Sequence, residues 1–189
     1  MSSHHIVREK QEPALLVLGM DNFDDELLGQ LLEWSPTLIA TPVVAEKLIS
    51  NGIKIDLIIT DEMDEDLQSD VKQLSVNGQT AALSALNYLI NKGYPAVNIV
   101  TDEFNINEYL PFTSKINLVI FYDRQKIYAI TPGFSKWKPA HEIITLLSVP
   151  EGLQITGLEK ISQNTYKTAA DGFFTMQFEG QNILIAEQL

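Results

Sequence analysis

The sequence predicts an α/β N-terminal lobe with a mostly parallel sheet, followed by an all-β, sandwich-like C-terminal lobe. Two observations carry this. Over the first hundred residues short apolar runs alternate with helix-length amphipathic segments, the pattern of strands joined by crossover helices. From about residue 115 onward the period falls to two and the segments are separated by turn residues, the pattern of antiparallel strands. The change near 112–115 divides the 189 residues into an N-terminal tail, 1–12, an α/β domain, 13–113, and a β-rich domain, 114–189.

The first strand is the apolar run Ala14 to Gly19, suited to a strand covered on both faces. Asn22 is the expected cap of the helix that follows. Asp24, Asp25 and Glu26 fill its first turn, where the helix dipole favours anions, and Leu27, Leu28, Leu31 and Leu32 give it one apolar face. Pro36 to Ala40 is the second strand. Thr41-Pro42 opens the next helix with proline at its first position, and Asn51-Gly52 ends it. Ile55 to Thr60 is strand three. Ala82, Leu83, Leu86, Leu89 and Ile90 make a helical stripe closed by Lys92-Gly93, before the strand Val97 to Val100. Beyond residue 112 no helical stripe of that quality recurs. Ile116 to Tyr122 and Lys126 to Ile130 flank a turn, Glu142 to Val149 is strand-like, and Phe174, Met176 and Phe178 alternate with polar residues before the strand Asn182 to Ala186.

Composition excludes several classes of function. There is no cysteine, which removes disulfides, thiolate metal sites and thiol nucleophiles together. Thirteen basic against twenty-five acidic residues, a net charge of −12, argue against a grip on nucleic acid or on an anionic membrane. No apolar run approaches the roughly 20 residues of a membrane span, and residues 1–8 contain no apolar signal core, so a cytoplasmic protein is expected. The phosphate-loop, dinucleotide, zinc-protease and serine-hydrolase fingerprints are all missing.

Chemistry concentrates in one place. Asp61-Glu62-Met63-Asp64-Glu65-Asp66, with Asp70 beyond, starts where strand three ends. In open parallel sheets ligands bind outside the carboxyl ends of strands, and carboxylates there can hold a hard cation such as Mg2+. The same run also suits a solvated loop. Trp137 is expected in an open loop, where its ring could stack on a planar ligand, whereas Trp34, behind a leucine-rich helix face, is expected in the core. His141, without histidine partners, is expected to be structural or solvent-facing.

Four fragments in order resemble the thiamine pyrophosphokinase family. Lys47 to Ile59 is similar to its stretch L…G-I-x-P-D-L-I-I, and Ala85 to Tyr94 to its A-L-x-Y-A-x-x-K-G-Y helix end. Ile144 to Pro150 and Ile155-Thr156-Gly157-Leu158 resemble its S-L-L-P and V-T-G-L pieces. The resemblance implies an α/β lobe joined to a β lobe and a homodimer that shares its thiamine pocket. It also implies an ATP- and Mg2+-dependent pyrophosphoryl transfer to thiamine. On the matching positions it makes Asp61 and Asp64 the catalytic and metal-binding carboxylates, with Glu62 or Asp56 in support. Asp56, Thr80 and Trp137 become the residues that would touch nucleotide or thiamine.

The chain departs from the family where the family does its chemistry. A-D-G-G-A is here Thr41-Pro42-Val43-Val44-Ala45, and G-D-F-D-S is Thr60-Asp61-Glu62-Met63-Asp64. T-D before the long helix is Thr80-Ala81, and no G-G-R-x-D-H stands at Asp102 to Asn107. Valines where glycines allow close backbone approach crowd a phosphate, and one surviving carboxylate organises a divalent metal poorly. The expected protein is therefore thiamine-pyrophosphokinase-like with an eroded site that retains at most binding of a small molecule such as thiamine or a nucleotide. An active thiamine diphosphokinase and a structural or partner-binding dimer module are the alternatives.

Overall fold

The computed structural model describes residues 12–62 and 71–189. The chain divides into two compact units, the first ending at Asp102 and the second running from Glu103 to Leu189. Together they combine parallel strands and several helices with a large antiparallel β region.

Among its described residues the first unit contains five strands: Ala14–Val17 (β1), Leu38–Ala40 (β2), Leu57–Ile59 (β3), Lys72–Leu74 (β4) and Ala96–Val100 (β5). All pair in parallel, in the order β5-β1-β2-β3-β4. Every residue of β1, β2 and β3 is buried, which is why they read as unbroken apolar runs. β4 is not visible as a strand in the sequence: Lys72 and Gln73 are exposed, as suits a short polar edge.

The described residues of this unit form three helices, Asp25–Leu32 (α1), Pro42–Ser50 (α2) and Ala81–Asn91 (α3). The cap of α1 is Asp24 rather than Asn22: the chain first turns from Met20 to Phe23, and the Asp24 carboxylate then accepts from the Leu27 amide at 2.9 Å. α2 opens with Pro42 at its first turn, as expected, and α3 buries Ala82, Leu86 and Leu89 of the anticipated stripe. Trp34 overturns its expectation. It follows the end of α1, beside Ser35 at φ 52°, and is 68% exposed.

The second unit begins with Ile106–Tyr109 (α4) and a short 3-10 turn, Leu110–Phe112. Its nine strands are Asn117–Tyr122 (β6), Gln125–Ile130 (β7), Phe134–Lys138 (β8), Ile143–Leu146 (β9), Gln154–Thr156 (β10), Leu158–Lys160 (β11), Thr165–Thr168 (β12), Gly172–Gln177 (β13) and Ile183–Gln188 (β14). Six form an antiparallel sheet, β11-β12-β9-β14-β7-β6, and three form another, β10-β13-β8. The anticipated hairpin joins β6 to β7 through Asp123 and Arg124, both at positive φ, as a two-residue turn matched to strand twist requires.

Phe174 and Met176 of the smaller sheet pack with Phe178 against Ile183, Ile185, Ile130 and Ile144 of the larger one, giving the unit a core of its own. The Phe174-Met176-Phe178 alternation is this inner face. Trp137 lies on β8, not in a loop, and is paired directly opposite Phe173. Among the described residues no helix is long and apolar enough to cross a membrane.

Candidate functional site

The parallel sheet delivers the carboxyl ends of its strands to one edge. β1 lies between β2 and β5, so the direction of winding reverses between β1 and β5, and such a switch point opens a crevice beyond the strand ends. Here the crevice is furnished with Gly19 and Asp21 after β1, Asp102 after β5 and Lys47 from α2. The Asp21 amide donates to both carboxylate oxygens of Asp102 at 3.1 Å each. Lys47 Nζ donates to Asp21 Oδ1 at 2.5 Å, and that hydrogen bond holds its ammonium above the ordinary lysine range. Gly19 is required by this approach, because a Cβ there would stand 2.3 Å from Asp102 Oδ2. Two carboxylates and one ammonium thus meet beyond the ends of β1 and β5, a group of net negative charge.

Asp61 occupies a different part of the same edge. It follows β3, three strand spacings or about 14 Å from the end of β5. Its Oδ1 accepts from Ser75 Oγ, from the Val76 amide at 2.9 Å and from the Asn77 amide at 3.4 Å. The Ser75 hydroxyl, outweighing partial desolvation and aided by the two amides, holds the carboxyl below the usual aspartate range. Asn77 at φ 48° completes the turn, and Thr80 then caps α3 by accepting from the Leu83 amide at 3.2 Å. Asp61 therefore anchors the turn that leads from β4 toward α3, whose cap is Thr80.

The other anticipated site residues do not join them. Asp56 stands before β3, at the opposite end of that strand, about 16 Å of extended chain from Asp61. Its Oδ2 accepts from the Leu38 amide at 2.8 Å while its own amide donates to the Leu38 carbonyl at 3.0 Å, pinning the start of β2 to β3. Glu62 is exposed, its amide donating to Thr60 Oγ1 at 3.0 Å. Asp64, with the rest of the acidic run from Met63 to Asp70, lies outside the described residues. Trp137 belongs to the second unit. Among the described residues no three acids or histidines stand close enough to hold a metal ion. Asp21, Lys47 and Asp102 escape a reading along the sequence because three separate segments meet only through the topology. The nearest local signal is Gly19 closing an apolar strand.

No protein-family profile matches the chain, and no curated protein matches it by sequence. Solved structures do match. The thiamin pyrophosphokinase of Geobacillus thermodenitrificans superposes with a TM-score of 0.72 at 12% identity, over 93% of this chain and 97% of that one. The thiamine pyrophosphokinase of Bacillus subtilis gives 0.65 at 15%, over 94% and 99%. Yeast thiamin pyrophosphokinase gives 0.67 at 11%, over 96% and 87%. The chain therefore has a thiamine-pyrophosphokinase-like fold.

Proposed function

We propose that this protein is a thiamine-pyrophosphokinase-like protein whose phosphoryl-transfer site is eroded, leaving at most the binding of a small molecule. The observation that carries the reading is the commitment of Asp61. The carboxylate that the resemblance assigns to Mg2+ has one oxygen occupied by three donors of the β4–α3 turn. A divalent cation needs several oxygen ligands, and among the described residues no group of three or more acids or histidines stands together to supply them. The described donor set does not fit Mg2+, so no step is routed through the metal. The flanking residues support the same reading: α2 opens with Pro42-Val43-Val44, Val44 being buried, and α3 opens with Ala81.

The test combines product formation with stability. Incubated with ATP, Mg2+ and thiamine, the protein is expected to yield no thiamine diphosphate above background while a fold-related kinase assayed alongside turns over. Asp61→Ala is expected to lower the unfolding midpoint by about 2–4 °C, since it removes a turn anchor. Turnover at ordinary enzyme rates, abolished by Asp61→Ala with the midpoint unchanged, would overturn the proposal and restore the active kinase. A midpoint raised by thiamine or ATP without turnover is the signature of retained binding. The reading also places the protein in the cytoplasm.

A homodimer formed through the second unit accompanies this proposal. Trp137 and Phe173, 53% and 68% exposed, sit side by side on the outer face of the three-stranded sheet, where their apolar area is left in water. Light scattering at micromolar concentration is expected to give twice the monomer mass, and Trp137→Ser with Phe173→Ser to return the monomer mass. A monomeric parent protein refutes this arrangement.

A further inference from the structure

At one end of the second unit's sandwich the space between the sheets changes from apolar to charged. Lys126 on β7 stands directly opposite Glu187 on β14, and paired residues of antiparallel strands project from the same face. That face also carries Ile185 and Ile130 of the core. From β8, Lys136 Nζ reaches both Glu187 oxygens at 2.7 and 2.9 Å, and Lys138 Nζ reaches Oε2 at 2.9 Å. Tyr128 donates its hydroxyl to Glu187 Oε1 and also contacts Lys136 Nζ at 3.0 Å. Glu187 is 4% exposed, so this is a built, water-poor cluster.

Its charges do not balance. Lys126, Lys136 and Lys138 face Glu187, and Glu142 contributes only a 3.7 Å approach to Lys138. Three ammonium groups against two carboxylates leave one positive charge over. Among the described residues Lys126 makes no ion pair, although the chain holds almost twice as many acids as bases. Burial, and then the neighbouring Lys136, press its ammonium below the ordinary lysine range, so the arrangement disfavours that charge unless an anion answers it.

We infer that Lys126, Lys136 and Lys138 form an oxyanion site that takes a phosphate group at the end of the β-sandwich. Lysine binds phosphate as a point charge, and a tetrahedral dianion has enough oxygens to accept from several ammonium groups at once, which a single carboxylate does less well. The site uses none of the residues at the parallel-sheet edge, so it stands whether or not the eroded-kinase reading survives.

Thermal unfolding and calorimetry in phosphate-free buffer, at ionic strength matched with chloride, test it. Inorganic phosphate, and separately glycerol phosphate as an ester, are the probes. The wild-type protein is expected to gain several degrees on adding phosphate, with a Kd at or below about 1 mM. Stronger binding of the ester assigns the site to a phosphorylated small molecule, and stronger binding of the free ion to phosphate itself. Lys126→Met, which keeps the aliphatic stem, is expected to weaken binding at least tenfold and to leave the ligand-free midpoint unchanged or higher. Lys160→Met, altering an exposed lysine on β11, is expected to bind as wild type. No phosphate response in the wild type, or an equal response in Lys126→Met, overturns the proposal. Should the methionine variant fail to fold, Lys126→Gln replaces it under the same criteria.

Discussion

Glu187→Ala is expected to destabilise the protein by about 3 kcal/mol, a large share of the total stability of an ordinary domain. Among the described residues Glu187 is the only carboxylate within hydrogen-bonding distance of both Lys136 and Lys138, and it also accepts from Tyr128. Removing it leaves ammonium groups facing one another across partly buried space. The two lysines keep some contact with water, at 33% and 18% exposure, which holds the expected cost to the lower end of the range for a broken buried pair. Acid unfolding supplies an independent check. Burial pushes the Glu187 carboxyl up, but hydrogen bonds from Lys136, Tyr128 and Lys138 together outweigh it and hold it below the usual glutamate range. A depressed carboxylate contributes stability above its unfolded pKa of about 4.3 and loses it as pH falls through the lower folded value. The wild type is therefore expected to lose stability more steeply than Glu187→Gln below about pH 4.3. Replacing the carboxylate and an ammonium together, Glu187→Leu with Lys136→Met, is expected to recover much of the loss, because an apolar pair of similar volume needs no compensation. Equal midpoints for wild type and Glu187→Ala in urea would refute the account.

The same cluster explains why β8 is hidden in the sequence. Phe134-Ser135-Lys136-Trp137-Lys138 has the period of a strand but inverted polarity, since its lysines turn inward to Glu187 and its tryptophan turns out. An alternation that assumes apolar residues inside assigns this segment to a loop. β10, β11 and β12 are missed for a related reason, being three- or four-residue strands whose exposed positions are polar, and β10 and β12 also pair with strands well away along the chain, β13 and β9. By contrast, β1, β2, β3 and α3 are legible because burial on every face, or on one helical stripe, writes itself directly into composition. At the site the position of Asp61 was legible, because an acid after a buried parallel strand must emerge at the carboxyl edge. Its occupation was not, since Ser75, Val76 and Asn77 reach it only once β4 pairs beside β3. Asp56 shows the converse: three strand residues separate it from Thr60, yet it ties down the amino-terminal edge, at the opposite end of β3 from Asp61.

Gly157→Ala is expected to cost about 2–4 kcal/mol, the second large effect. Gly157 is the single residue between β10, which belongs to the three-stranded sheet, and β11, which belongs to the six-stranded one. Passing from one sheet to the other in one residue demands a sharp corner, and the backbone takes φ 76° to make it. A Cβ there would lie 2.7 Å from the Phe173 carbonyl oxygen and 3.0 Å from Phe174 Cα. Both are backbone atoms of β13, the central strand of the smaller sheet, so relief requires moving a strand rather than rotating a side chain. The Gly157 carbonyl also accepts from the Ala169 amide at 3.1 Å, tying the corner to the segment after β12. Two further glycines separate the steric cost from the conformational one. Gly152 has φ 65° with only flexible Glu179 atoms near a Cβ, at 3.5 Å and beyond, and Gly180 has φ 94° with nothing within 4 Å. Alanine at either is expected to cost about 1 kcal/mol, the penalty for a left-handed backbone alone. Chemical denaturation of the three variants measures the difference: a Gly157→Ala loss no larger than those of Gly152→Ala and Gly180→Ala would show that β13 yields without resistance and that the corner does not hold the two sheets in register.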